Sequence, residues 1–304
     1  MTLNNSSSHN AFYVERDITD WYQDGSLWNR IDGTNGYDEM EGLFPGCYFD
    51  MSTVVRVPGE GGGSSANAGK RIMIIGINSF YGRRNPSYNG TTVKNEPEKG
   101  IYNSLNKNHI VLLPFGLNNY HAHFGTSKFN QAVPSGSTDP VNLGAYERSL
   151  INRSILGPAV TTGSTSGTIN QQLYSEFGNH LITYNKRISN TLNENYASSP
   201  MHLIDQGSFS IGGSSASADV MLQSCLLSEV ELYNSMKIAS SLEDERDSAR
   251  FPAFLYNPAI IGWDDFWLRD IASKNTACAW QFKGCATHFS STQVAIVRPY
   301  FLLG

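Results

Sequence analysis

FWLRDIASKNTACAWQFKGCATHFSSTQVAIVRPYFLL, residues 266–303, breaks into four apolar runs separated by polar turn residues. They are Phe266–Asp270, Ala277–Phe282, Gly284–Phe289 and Val294–Leu303. Runs this short, rich in aromatic and β-branched residues, predict the strands of an antiparallel meander. Arg269 and Arg298 sit inside two of them. A guanidinium in an apolar strand needs carboxylate or carbonyl partners, because an unpaired buried charge is costly. Asp270, Glu229 and Glu231 are the candidate carboxylates. Trp267, Arg269 and Arg298 are therefore expected to be structural, with Trp267 a core residue. Alternation sends Cys278, Trp280 and Phe282 to one face of their strand. Either that face is core, leaving binding to the polar turns, or it is an exposed aromatic platform. The cost of leaving three large apolar groups wet favours the first. Lys274, Asn275, Lys283, Ser290, Ser291 and Thr292 are then the expected ligand-binding face.

Upstream of the tail, Leu226–Tyr233 and Phe251–Leu255 are short and β-like in texture. Ile169–Leu192 carries Leu173, Phe177, Leu181, Tyr184, Ile188 and Leu192 at steps of three and four, which predicts one long helix. Asn142–Leu156 predicts a second, ended by Gly157-Pro158. Cys47–Met51, Arg71–Ile77 and His109–Phe115 read as strands. Gly61-Gly62-Gly63 before Lys70 suggests a phosphate loop, but the segment that follows is a strand, and phosphate cradling needs a helix N-terminus. At the other end, Trp21 and Trp28 lie in a short arm, residues 1–38, where two large aromatics need cover from the domain behind or from a neighbouring subunit. The expected architecture is α+β: an extended arm, then one domain over residues 39–304 with two helices and a closing antiparallel meander.

Composition narrows the function. The 304 residues are 40% hydrophobic, 12% aromatic and only 16% charged, with a net charge of −5. That is a folded chain, since disorder needs few aromatics and much charge. The acidic balance argues against a nucleic-acid partner. No apolar run is long enough to span a bilayer, and Met1–Ser6 lacks a signal peptide's basic and apolar regions, so a soluble protein made in the cytoplasm is expected. Cys47, Cys225, Cys278 and Cys285 fall in no C-x-x-C spacing, which favours buried free thiols. Cys278 and Cys285 facing one another across a hairpin is the alternative.

Catalytic constellations are weak. His121 and His123 alternate on one face with His109 upstream, a possible metal set that lacks an identifiable further ligand; hydrogen-bonded structural histidines are the favoured reading. Asp264-Asp265 and Glu243-Asp244-Glu245 read as solvated acidic turns. There is no G-x-S-x-G elbow to present a serine nucleophile. No cofactor or metal is expected.

Four stretches in order, LLSEVELYNS (226–235), FPAFLYNP (251–258), WLRDIAS (267–273) and VRPYFLL (297–303), resemble a family of head fibre or minor structural proteins. These are encoded by bacteriophages and prophages of gut Firmicutes. The arm RDITDWYQDGSLWNRI, FGTSKFN (124–130), INQQLYSEFGNHLITY (169–184) and the strand at Tyr48–Met51 also fit, so the resemblance covers most of the chain from Arg16 to Gly304. The family's tail resembles the C-type-lectin-like fold of formylglycine-generating enzymes and of the variable proteins of diversity-generating retroelements. The chain departs from the enzyme branch, which holds copper with a cysteine pair beside the closing strand; here no cysteine follows Val297-Arg298-Pro299. The lectin calcium motifs are absent as well.

The resemblance implies a virion surface protein, a capsid-decorating head fibre whose outer face adheres to a host glycan or protein. A tail-tip receptor-binding protein is the alternative, and a metal-dependent enzyme of the formylglycine-generating type a minor one. Other virion proteins and further copies of the chain are the implied partners. Trp21 and Trp28 are expected to dock the arm onto the particle or a second copy, and removal of residues 1–38 to leave a folded domain.

Overall fold

Three apolar runs, Arg71–Ile77, Ile110–Pro114 and Pro299–Leu303, are too hydrophobic for a sheet with one wet face, and they become the buried centre of the protein. The computed structural model describes residues 9–59, 69–80, 87–88, 93–94, 105, 107–116, 123–130, 146, 149–189, 191–193, 208–210, 217–233, 250–261, 265–271, 276–281, 285–290 and 292–304. The main strands are β1 (Arg16–Asp17), β2 (Cys47–Asp50), β3 (Arg71–Ile77), β4 (Ile110–Pro114), β5 (Thr126–Lys128), β6 (Ser224–Leu226), β7 (Phe266–Ile271), β8 (Thr276–Gln281), β9 (Cys285–Ser290), β10 (Val294–Ile296) and β11 (Pro299–Leu303). Six form one sheet in the order β1-β2-β3-β4-β11-β6, and five a second in the order β9-β8-β7-β10-β5. Neighbours are antiparallel except β1–β2 and β7–β10. Smaller strand pairs join Tyr184–Ser189 to Ser217–Leu222 and Thr191–Asn193 to Ser208–Ser210. With its few short helices the chain is α+β.

Both faces of the six-stranded sheet are covered, because successive residues of β11 point to opposite sides. Phe301 packs with Phe177 and Phe124. Tyr300 packs with Phe80 and Phe251. A bulge in β3 between Ile74 and Gly76 lets the backbone meet that second cluster, and a Cβ on Gly76 would come within 3.3 Å of the Phe251 ring. In the second sheet Trp267 is fully buried, with its indole N–H donating to the Ser127 carbonyl at 2.7 Å and its ring edge-on to Phe129.

The long helix expected over Ile169–Leu192 is α3 (Ile169–Phe177) alone, followed by one 3-10 turn and then the strand Tyr184–Ser189. Thr168 and Gln171 form a capping box at its start, and Gly178, at φ 54°, ends it. Beyond that point Ile182, Tyr184 and Lys186 are all buried, a period of two. Lys186 breaks the apolar alternation in the sequence, so the strand is hidden behind a charge. Of the helix expected over Asn142–Leu156, the described residues include helical Tyr146 and Leu150 and a π-helix at Ile151–Leu156. The short stretches read as β-like at Leu226–Tyr233 and Phe251–Leu255 instead include helices at Glu229–Tyr233 and Pro252–Tyr256.

The closing meander is also corrected. β7, β8 and β9 follow it, but β10 returns to the other edge of β7 in parallel, and β11 leaves for the first sheet. Arg298 stands at that crossing. The register pairs Gln281 with Cys285 and Cys278 with His288, so the two cysteines are not opposite one another.

The extended arm is the third correction. Residues 16–32 form β1, α1 (Thr19–Gln23) and α2 (Ser26–Asp32), and Ile18, Leu27 and Ile31 belong to the same core as the strands. Residue 38 therefore does not separate an arm from a domain. Tyr22 and Ser52–Thr53 are tied to one carboxylate of α3: Glu176 accepts from the Tyr22 hydroxyl at 2.6 Å, the Thr53 N–H and hydroxyl at 3.0 and 2.7 Å, and the Ser52 N–H. Burying three aliphatic side chains contributes roughly 5–9 kcal/mol, comparable to the whole stability of a typical domain. Removal of residues 1–38 is therefore expected to yield aggregated or unfolded chain by circular dichroism and size-exclusion chromatography. A monodisperse, cooperatively melting truncation would refute this.

Candidate functional site

Ser228-Glu229-Val230-Glu231 reads S-x-x-E, the signature of a capping box. The structure forms it: the Glu231 N–H donates to Ser228 Oγ at 3.2 Å, and the Ser228 N–H to Glu231 Oε2 at 3.0 Å. The box starts the short helix Glu229–Tyr233 immediately after β6, and it aims the Glu231 carboxylate inward, where three other segments meet it. Lys186 Nζ, from the strand Tyr184–Ser189, lies 3.0 Å from Oε1. The Tyr300 hydroxyl, from β11, donates to the same oxygen at 3.0 Å. Arg269 from β7 donates to Oε2 at 2.6 Å and to the Leu226 carbonyl at 3.1 Å. Each carboxylate oxygen thus receives two donors.

This cluster is sealed. Lys186, Glu231, Arg269 and Tyr300 are each at most 2% exposed. Phe80 lies 5.2 Å from the Lys186 ammonium. Burial alone would push the Glu231 carboxyl up, but Arg269 and then Lys186 outweigh it and hold its pKa at about 2. Burial pushes the Cys225 thiol up to about 11 and raises the Tyr146, Tyr184 and Tyr300 phenols, so all four stay protonated at neutral pH. Two more acids adjoin the cluster, the Glu229 N–H donating to Asp270 Oδ2 at 2.8 Å. A charge network without a solvent face binds no diffusing substrate; it joins β6, β7, β11 and the Tyr184–Ser189 strand.

Arg298 performs a second joining. Its guanidinium donates to the carbonyls of Pro114 at 3.2 Å, Ile260 at 2.8 Å and Ile261 at 2.6 Å, and lies 5.7 Å from the centre of the Phe266 ring. Of the carboxylates named from the sequence, Glu231 pairs with Arg269. Lys186 and the capping Ser228 were missed. The S-x-x-E spacing was the signal for the second; Lys186 had none, since a lysine among polar neighbours reads as surface.

The other named residues are placed as follows. His109 is buried, with Nε2 accepting from the Phe80 N–H at 3.1 Å and Nδ1 3.0 Å from the Lys107 carbonyl; His123 Nδ1 accepts from the Gly125 N–H at 2.9 Å. His121 and the acidic run at 243–245 lie outside the described residues. Among the described residues, no group of three or more His, Cys, Asp or Glu side chains could hold a metal ion, and no helix is long and apolar enough to cross a membrane. Cys47 and Cys225 are buried and free.

Trp28 stacks on His180 at 3.8 Å and 8° between planes, and Trp21 has Arg16 and Arg30 over its ring at 4.4 and 3.8 Å. Both tryptophans are thus half-buried by their own chain. Lys274, Asn275, Lys283 and Ser291 lie outside the described residues. Ser290 is exposed, its hydroxyl 2.9 Å from that of Thr292, in a turn closed by the Gln293 N–H on the Ser290 carbonyl. The pairing of Thr276 with Ser290 puts the β7–β8 and β9–β10 connections at one end of the sheet. At its other end the β8–β9 pairing closes with Gln281 opposite Cys285.

Compared with known protein families, with curated proteins and with solved structures, the chain matches none.

Removing one partner of a buried ion cluster leaves the others uncompensated, so Glu231→Gln is expected to cost about 3–5 kcal/mol in urea unfolding at neutral pH. The Glu231 pKa is lower folded than its ordinary 4.5, so its stabilisation is complete above about pH 4.5 and is lost as pH falls towards 2. The parent should weaken through that window, and Glu231→Gln should weaken less. A variant within about 1 kcal/mol of the parent at neutral pH would show the cluster to be dispensable.

Proposed function

We propose that this chain is a bacteriophage virion surface protein, a capsid-decorating head fibre built on a C-type-lectin-like domain. The observation that carries the reading is where the arginines of the two tail motifs go. Arg269 of WLRDIAS and Arg298 of VRPYFLL are both buried, joining strands and segments of the two sheets. The motifs that carry the resemblance are therefore scaffold, and a scaffold leaves function to the loops it holds.

The adhesive end is the one bearing the Ser290–Gln293 turn and the β7–β8 connection. Ser290 and Thr292 present paired hydroxyls suited to a glycan or a protein, and Lys274, Asn275 and Ser291 of the same expected face lie outside the described residues. Fixed strands beneath them reduce the ordering cost of binding. Docking falls to the outward surface around α1 and α2, with Trp21 and Trp28 as the ring contacts that stiffen it.

Purified particles, probed by mass spectrometry and by immunogold labelling against this chain, should carry it on the capsid. Label confined to the tail tip would replace this reading with a receptor-binding one, and its absence from particles would end both. Ser290→Lys with Thr292→Lys, folding unchanged, should reduce adsorption to host cells several-fold; undiminished adsorption would leave the protein a decoration without an adhesive role.

A further inference from the structure

The charge of this protein is concentrated in one short segment. Residues 15–41 hold eight acidic side chains and two arginines, a net −6, whereas the whole chain carries −5 and everything else is therefore +1. All eight acids are exposed. Both arginines are occupied locally: Arg16 and Arg30 lie over Trp21, and Arg30 also lies 4.2 Å from the Tyr37 ring and 3.5 Å from Glu41. Glu15, Asp20, Asp32, Asp38 and Glu39 form no ion pair among the described residues.

The same surface exposes apolar side chains. Phe12 is 59% exposed and Val14 37%, on the irregular segment that leads into β1. Phe12 rests edge-on against Phe44, and Gly42, two residues earlier, adjoins Trp21. One continuous patch thus joins apolar groups to acids across the outward faces of β1, α1 and α2.

We infer that this patch is a docking surface for a partner protein whose own surface is basic, lysine- or arginine-rich around an apolar contact. The partner's identity as a virion component rests on the docking reading above; the chemistry of the patch does not. Charge opposes a second copy docking through the same patch, since −6 would face −6. Acidic groups rimming an apolar contact steer a basic partner and fix its orientation, and salt screens that attraction.

The test uses the full chain and a fluorescent oligolysine peptide as probe. Binding should weaken roughly tenfold between low salt and about half-molar salt, as expected for screened surface charges. Asp20→Asn, Asp32→Asn, Asp38→Asn and Glu39→Gln combined should weaken it by a similar factor, with the melting transition retained. The control removes four acids elsewhere, Glu243→Gln, Asp244→Asn, Glu245→Gln and Asp247→Asn, and should leave binding within about twofold of the parent if position rather than total charge governs it. Zero-length carbodiimide crosslinks to the peptide should map to residues 15–41. Equal losses in variant and control, or crosslinks spread over the chain, would overturn the patch. Normal copy number of the patch variant in particles, despite lost peptide binding, would overturn the virion docking reading and leave the patch standing.

Discussion

The Glu231 carboxylate is the point on which the two sheets depend. Four donors converge on it: the Ser228 amide, three residues away, and Lys186, Arg269 and Tyr300 from three segments distant in sequence. A carboxylate without those donors could not be buried, and two cations without the carboxylate could not be either. The arrangement is therefore mutually conditional. It fixes the first sheet's edge strand β6 against β7 of the second sheet and against β11, with the small helix after β6 aimed by the same side chain that caps it. Apolar packing throughout the core supplies the bulk of the burial, while the ions specify which strands meet.

Away from that point the chain uses neutral amides where other proteins use ion pairs. Gln172 grips residue 56 by both backbone groups, at 2.8 Å from its N–H and 2.6 Å from its carbonyl. Gln223 does the same to Val160, and Asn10 to Ile77. Each amide satisfies a donor and an acceptor of one loop or strand-end residue, as a neighbouring strand would. A composition poor in charge and rich in amides thus becomes intelligible: much of the loop structure is held by two-point contacts that salt does not weaken.

Much of the sheet architecture was legible in the sequence. Runs such as Ile110–Pro114 and Pro299–Leu303 are strands because they are apolar throughout, and Trp267, Arg269 and Arg298 read as interior because of the company they keep. What failed has physical causes. A buried lysine at 186 broke the alternation that would have revealed a strand, and the residues after Gly178 matched helical spacing by coincidence of short period. The N-terminal segment looked detachable because its apolar residues are few and set among polar ones; Leu27 and Ile31 are what anchor it.

β11 lies inside the first sheet, between β4 and β6, although it is made after both. A ribosome delivers this chain with the sheet's inner strand still to come, so β4 and β6 wait with open hydrogen-bonding edges through the synthesis of some seventy residues after β6. Vectorial folding cannot complete the sheet step by step. The fold closes in one late event, with the Tyr300 hydroxyl and the Arg298 guanidinium arriving together. Chains interrupted before that point carry two unfilled apolar edges, the geometry that invites strands from other molecules.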